Sequence, residues 1–345
     1  MRNLSRSYLN RIIIVFMTFL LIIPFMAFGC QEKDKTEMPV NSPGDERIKS
    51  DNILRLDTGF DGSLAFEHVK RQVDFGPRYS GSQAIKQTRE YMKSQLESFG
   101  LKVEVDAFTA ITPNPKFPKV EMANLIAEIP GEKPEVIVIG SHYDTKWFPD
   151  IHFVGANDGG SSTGVLLELA RVLSKNRPKY TLWLTFFDGE EAMNGVWMGT
   201  DNTYGSRHMV DRLRKEGKIG SVKAMILLDM VGDKELGIVR DANSVNWMVN
   251  TIWANATKLG YKKHFLDLGM YIEDDHIPFL KAGVPAVDLI DFSFGSTASN
   301  CGPGGSGNCY WHTDQDTLDK ISAESLKVVG DTVLASLPDI ADQIR

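Results

Sequence analysis

The stretch from Ser141 to Gly164, SHYDTKWFPDIHFVGANDGGSSTG, constrains this chain more than any other. A β-rich apolar run, Val136–Ile139, feeds directly into His142 and Asp144. A loop then delivers Asp158, two glycines and two serines, and a helical pattern begins. An open α/β sheet builds a site in this way, at the carboxyl edge of its strands. A histidine and an aspartate at such strand ends are suitable ligands for zinc.

The flanking sequence supplies the rest of a sheet. Val103–Phe108, Met122–Ile129, Tyr180–Phe187, Ala224–Met230 and Pro285–Ile290 are rich in β-formers and read as strands. Phe66–Val73, Ser80–Phe99, Ser162–Leu173, Val245–Leu259, Asp275–Lys281 and Glu324–Ile340 carry helical spacing, with Gly100 and Gly283 as C-terminal stops. Strands that alternate with helices predict an α/β fold: a mixed, mostly parallel central sheet flanked by helices on both faces. No internal repeat interrupts it.

The N-terminus reads differently. Arg2, Arg6 and Arg11 precede the apolar run Ile12–Phe28, and Gly29-Cys30 follows at once. This pattern is similar to a bacterial lipoprotein signal, which predicts cleavage after residue 29 and a lipidated Cys30. The alternative is an uncleaved anchor, because the run is close to spanning length. Either reading exports the remainder, lipid-anchored or membrane-anchored, to the periplasm or cell exterior. Gln31–Lys49 is polar, with Pro39, Pro43 and Gly44, and residues 30–51 read as a flexible tether. The expected organisation is a signal peptide over 1–29, the tether, and a catalytic domain over 52–345. Net charge is −7, and loss of the three leader arginines makes it more negative still. No basic stripe stands out, so nucleic acid is not an expected partner. A monomer is expected.

Five residues at strand ends or in glycine-rich turns are candidate metal ligands: His142, Asp158, Glu191, Asp229 and His312. Glu190 stands beside Glu191. Adjacent residues point different ways, so one carboxylate can ligate a metal while its neighbour faces substrate as general acid and base. The alternative for Asp188, Glu190 and Glu191 is a charged helix start.

Several stretches together carry a resemblance. HYD…GANDGGSSTGVLLELAR, FFDGEEA, LLDMVGD, EDDHIPFLKAGVP and the late WHT resemble the zinc aminopeptidase-like superfamily of M28 peptidases, from about Phe75 to the C-terminus. Within it the chain is most similar to glutaminyl cyclases. Tyr204–His208, Ile272–Leu280, Lys146 after HYDT, and Trp311 directly before His312 carry that narrower likeness. The resemblance implies that Asp158, Glu191 and His312 bind one zinc ion per chain. It implies that Glu190 is the general acid/base, with Asp229 and Asp274 in a hydrogen-bonded carboxylate relay. It further implies that Trp197, Trp311 and Ile272 line the substrate pocket. Animal cyclases carry a disulfide near HYD; the corresponding positions here are Ser141 and Thr163.

The implied reaction closes the N-terminal glutamine of a peptide to pyroglutamate with loss of ammonia. One rival is an aminopeptidase with two zinc ions, because His142 and Asp229, the further ligands of a dinuclear site, are both present. Another is an inactive binding module on the same fold. His152, His264 and His276 read as structural or exposed, Arg207 and His208 as loop pins, and Trp183, Trp247 and Trp253 as core.

Three cysteines remain to be placed. With Cys30 lipidated in an oxidising compartment, Cys301 and Cys309 are expected to pair across GPGGSGN. A thiol assay on the denatured, unreduced full chain should find at most one reactive thiol; two or more would refute the Cys301–Cys309 bridge.

Overall fold

A six-stranded sheet sorts its side chains between two helical layers by strict alternation. The computed structural model describes residues 57–197, 199–295 and 309–344. Its strands are β1 (Lys102–Ile111), β2 (Lys119–Ile129), β3 (Lys133–His142), β4 (Tyr180–Phe187), β5 (Val222–Asp229) and β8 (Ala286–Ile290), in the order β1-β2-β4-β3-β5-β8. β1–β2 and β2–β4 pair antiparallel, while β4–β3, β3–β5 and β5–β8 pair parallel. The mixed, mostly parallel sheet expected from the sequence is therefore present. A separate ribbon joins β6 (Ile238–Asp241) to β7 (Phe265–Met270).

Successive side chains of a strand face opposite ways. Ile137, Ile139, Leu182, Leu184, Ala224, Ile226 and Leu228 enter the larger core. That core is closed by α1 (Gly62–Asp74), α2 (Gln83–Ser98), α3 (Gly160–Leu173), α5 (Asn246–Lys258) and α7 (Ala323–Gln343). Val136, Val138, Met225 and Leu227 face the other way, against α4 (Tyr204–Lys215) and α6 (His276–Lys281). The central strands are buried on both faces, which is why they read as continuous apolar runs. Complete burial of one such aliphatic side chain contributes roughly 1.5–3 kcal/mol.

Three elements were not visible in the sequence. α4 is polar and buries only Tyr204, Gly205, Ser206, Met209, Val210 and Leu213. β6 has four residues, and β7 is largely exposed. Arg207 and His208 therefore sit on a helix. Arg207 nevertheless pins the loop before it, donating to the carbonyls of Thr200 and Asn202. His208 stacks on Phe108, 4.2 Å between ring centroids, and lies 3.1 Å from Asp106. Of the three tryptophans assigned to the core, only Trp253 is buried; Trp183 and Trp247 are half-buried at its margin.

The leader, the tether and Cys301 lie outside the described residues. Cys309 is disulfide-bonded. Among the described residues no helix is long and apolar enough to cross a membrane.

Candidate active site

The parallel strands deliver their acids to one edge. β3 ends at His142, with Asp144 and Lys146 just beyond; Asp188, Glu190 and Glu191 follow β4; β5 ends at Asp229. Among the described residues, 188–197 and 199–203 carry no helix, so the Glu pair does not open one. The helix-start alternative for these acids is thus removed.

Asp144 fixes the pair instead. Its two carboxylate oxygens accept from the backbone amides of Glu190 (3.1 Å) and Glu191 (3.2 Å). The two side chains then diverge. Glu191 Oε1 lies 2.9 Å from His312 Nε2, and its Oε2 accepts from Lys146 Nζ at 3.3 Å. Glu190 Oε2 faces His142 Nδ1 at 3.8 Å.

Two ligand triads result, and Asp158 belongs to both. Asp158, Glu191 and His312 form one; His142, Asp158 and Asp229 form the other. In each, the candidate ligand atoms all lie within 4.8 Å of one another. His312 Nε2 is 3.2 Å from Asp158 Oδ2, and His142 Nε2 is 3.2 Å from Asp158 Oδ1 and 3.1 Å from Asp229 Oδ1. Asp158 Oδ2 is buried and receives no hydrogen bond. Carboxylates and imidazoles converging in a buried site, one oxygen left without a donor, form a fitting donor set for a zinc-like cation.

The carboxylates and imidazoles of the triads also bias one another's protonation. Burial favours neutral Asp158, but His142 and His312 hold its carboxyl below the usual range. Burial lowers His312 as well, yet Glu191 and Asp158 raise it to about 9. A bound divalent cation inverts this local logic. Glu190 is pushed well up, first by burial and then by Asp274, Glu191 and Asp275, against the pull of His142. Asp274 is likewise raised by burial, Asp229 and Asp275.

The relay differs in detail from the expectation. Asp229 Oδ1 pairs with His142, and Asp274 Oδ1 accepts from the Asp275 amide at 2.5 Å. Asp274 Oδ2 receives no donor, so the acids are linked electrostatically rather than by an observed chain of hydrogen bonds.

Aromatic side chains enclose the His312 triad. Trp311 stacks on the His312 ring at 4.0 Å, while Phe148 and Phe153 meet it edge-on, each at 5.8 Å. Ile272 is buried in the apolar cluster against which Trp311 packs. Trp197 lines a cavity of about 250 Å³ that it shares with Asp274. Ser141 Oγ and Thr163 Oγ1 lie 3.2 Å apart, where the resemblance places the missing animal disulfide. His152 is exposed, and His264 meets the Leu236 carbonyl at 3.1 Å. His276 is fully buried between Asp241 (3.0 Å) and Asp288 (4.0 Å).

Two positioning residues escaped the sequence reading. Arg78 is wholly buried, and its guanidinium donates to the carbonyls of Tyr143 (2.9 Å), Val154, Gly155 (2.7 Å) and Asp158 (3.3 Å). Asp316 accepts from the amides of Asn157 (2.7 Å) and Asp158 (3.0 Å). The arginine in a Gly-Pro turn was the only signal available; nothing marked Asp316. Gly159 completes the loop: its φ is +69°, and a Cβ would lie 2.7 Å from the Asp144 carbonyl and 2.9 Å from the His142 ring.

Arg78→Lys keeps the charge but loses the forked set of donors. It is expected to weaken zinc binding by about 10- to 100-fold, as loss of a ligand-orienting partner does. Titration of the metal-free protein with zinc checks this, and unchanged affinity would remove Arg78 from the positioning role.

Comparison with known proteins agrees with this geometry. The model of peptidase family M28 matches residues 124–337. A glutaminyl-peptide cyclotransferase of Bothrops jararaca is 30% identical over 73% of this chain and 75% of its own. The crystal structure of an Acidobacteriales bacterium glutaminyl cyclase superposes with a TM-score of 0.76 at 38% identity, covering 82% of this chain and 96% of that one. Porphyromonas gingivalis glutaminyl cyclase gives a TM-score of 0.71 at 30% identity, covering 82% and 99%. The chain belongs to the M28 peptidase family, on its glutaminyl-peptide cyclotransferase branch.

Proposed function

We propose that the protein converts the N-terminal glutamine of peptides and proteins into pyroglutamate and releases ammonia, with one zinc ion held by Asp158, Glu191 and His312. The observation that carries this reading is Asp274, a buried carboxylate at the site whose Oδ2 receives no donor. It offers an acceptor to the amide NH₂ of a glutamine side chain. The relatives named as cyclases support the same reading.

In this reaction the substrate's α-nitrogen forms a bond to its own side-chain amide carbon, and the bond from that carbon to the amide nitrogen breaks. The nucleophile and electrophile belong to one residue, so orientation supplies much of the rate. Zinc, when bound, supplies Lewis-acid polarisation of the amide carbonyl. Glu190 takes the proton released by the attacking amine and returns it to the departing nitrogen, so one carboxylate serves as base and then acid. Asp144 holds Glu190 through its backbone amide, and Asp274 orients the leaving group. Trp311 and Ile272, with Trp197, exclude water and so strengthen each polar contact. Asp229, with Asp274, keeps the local charge high enough for a proton to stay within the cluster.

The same reading takes the chain to be exported and lipid-anchored at Cys30, in accord with the three leader arginines and the apolar run before Gly29. Peptide N-termini are then met at a membrane surface, with the protein acting as a monomer.

A second reading has one specific observation in its favour. The His142–Asp158–Asp229 triad is complete, so a second zinc has ligands and an aminopeptidase has its metal set. The distinction then lies in the nucleophile, the peptide's own amine or water.

Glu190→Gln keeps shape but cannot take a proton; activity is expected to fall by roughly two to four orders of magnitude with zinc retained. Glu191→Gln is expected to lose zinc. Elemental analysis beside the rates checks both, and zinc loss in Glu190→Gln would reverse the two roles.

Dipeptides separate the two enzymes. Gln-Xaa should give pyroglutamyl-Xaa and ammonia with its peptide bond intact, and Leu-Xaa should remain whole. Free leucine at a rate matching ammonia release would establish the aminopeptidase.

A further inference from the structure

The loop that carries Ile272 and Asp274 leaves β7 of the small ribbon, not a strand of the central sheet. Residues 271–275 lie in neither strand nor helix, so no backbone ladder fixes them. A buried side chain holds them instead. Asp241, the last residue of β6, is 3% exposed, and each of its carboxylate oxygens meets two polar groups. Oδ1 accepts from the amides of Asn243 (3.0 Å) and Ile272 (3.1 Å). Oδ2 accepts from Ser244 Oγ at 2.6 Å and lies 3.0 Å from His276 Nε2. Burial works against the charge, yet His276, Ser244 and the Asn243 amide hold this carboxyl below the usual range.

Asn243 completes the grip. Its Nδ2 donates to the Ile272 carbonyl at 2.7 Å, so one turn holds both backbone groups of Ile272. That turn is itself tied to the central sheet. Ser244 Oγ accepts from the Asp288 amide, and the Val245 amide donates to the Ala286 carbonyl, each at 2.9 Å. Asp288 and Ala286 belong to β8, whose Ile290 pairs with Asp229. Polar contacts therefore run without a break from the sheet, through Asp241, to Ile272 and His276. Asp274 sits midway between those two fixed points.

We propose that Asp241 and Asn243 are positioning residues for the cyclisation: through Ile272 and His276 they set where Asp274 stands against the glutamine side chain. The inference deepens the cyclisation reading and rests on it. Asp274 is the acceptor for a nitrogen that gains a proton as its bond to carbon breaks. Its hold on that nitrogen strengthens toward the transition state, so a misplaced Asp274 lowers kcat more than it raises KM. A small displacement is enough, since a shift of about 1 Å can cost roughly 100-fold in rate. None of the groups gathered by Asp241 is a candidate zinc ligand, so the Asp158–Glu191–His312 triad is left as it is.

The experiment uses the full chain with zinc and an amidated Gln-Ala dipeptide, and rates are taken per zinc-bearing molecule. Asp241→Asn should lower kcat by roughly 10- to 100-fold with little change in KM. Asn243→Ala removes one hydrogen bond and should lower kcat by roughly three- to tenfold. Asn243→Asp keeps the size but has no donor for the Ile272 carbonyl, and should be at least as slow as Asn243→Ala. Zinc content should match that of the parent in all three. The Asn243 variants keep the test decisive if Asp241→Asn folds poorly. A parent kcat in both Asn243 variants, with only the melting temperature lowered, reduces the turn to a support of the fold and overturns the inference. So does a parent kcat in Asn243→Asp alone, which would make size rather than donation the property that matters. Zinc loss that accounts for the whole fall in activity also overturns it. No pyroglutamate from the parent protein overturns the cyclisation reading and this inference with it.

Discussion

A guanidinium without access to water holds the loop on which this site is built. Arg78 has been carried wholly into the interior, where an unpaired cation is costly. It is stabilised by four carbonyl oxygens and by the nearby acids Asp316, Asp158 and Asp144. The carbonyls gathered this way belong to the end of β3 and to the loop before α3, so one side chain fixes the distance between His142 and Asp158. With Asp316 accepting from the amides on the other side, the Asp158 backbone is held at both its carbonyl and its amide, and both ligand triads pass through this residue.

The same edge concentrates more carboxylates than it can ionise. Burial and mutual repulsion raise Glu190, Asp229, Asp274 and Asp288 together, and Asp275 to about 7. Such a cluster persists only if it holds protons or cations. Lys146 on Glu191 and the converging triads lie on one side, and the acids that burial raises around Asp274 on the other. Burial strengthens the hold of these carboxylates on a proton, and that suits the transfer of one proton between two nitrogens of the same substrate residue.

The parts of the fold that were legible share a physical cause. The central strands lie between two helical layers, so their sequences are unbroken apolar runs, and the expected strand over Tyr180–Phe187 coincides with β4. α2, α3 and α7 carry apolar stripes that face the larger core. α4 and the β6–β7 ribbon cover little apolar surface, so their sequences carry little pattern. The ligands were legible because each follows a strand or a glycine turn. Arg78 and Asp316 were not, and Asp144, read as a strand-end donor, turned out to hold two backbone amides; a backbone amide or carbonyl leaves no mark on the sequence of its partner.

The sequence by itself determined the apolar runs of the central strands, the helices of the larger core, the chemistry of the donors, and the adjacency of Glu190 and Glu191, since all of these are local. Tertiary structure decided which way each of those two carboxylates points, because Asp144, 46 residues before Glu190 in the chain, clamps both amides. It decided that Asp158 serves both triads, because Arg78 and Asp316 come from distant parts of the chain to fix it.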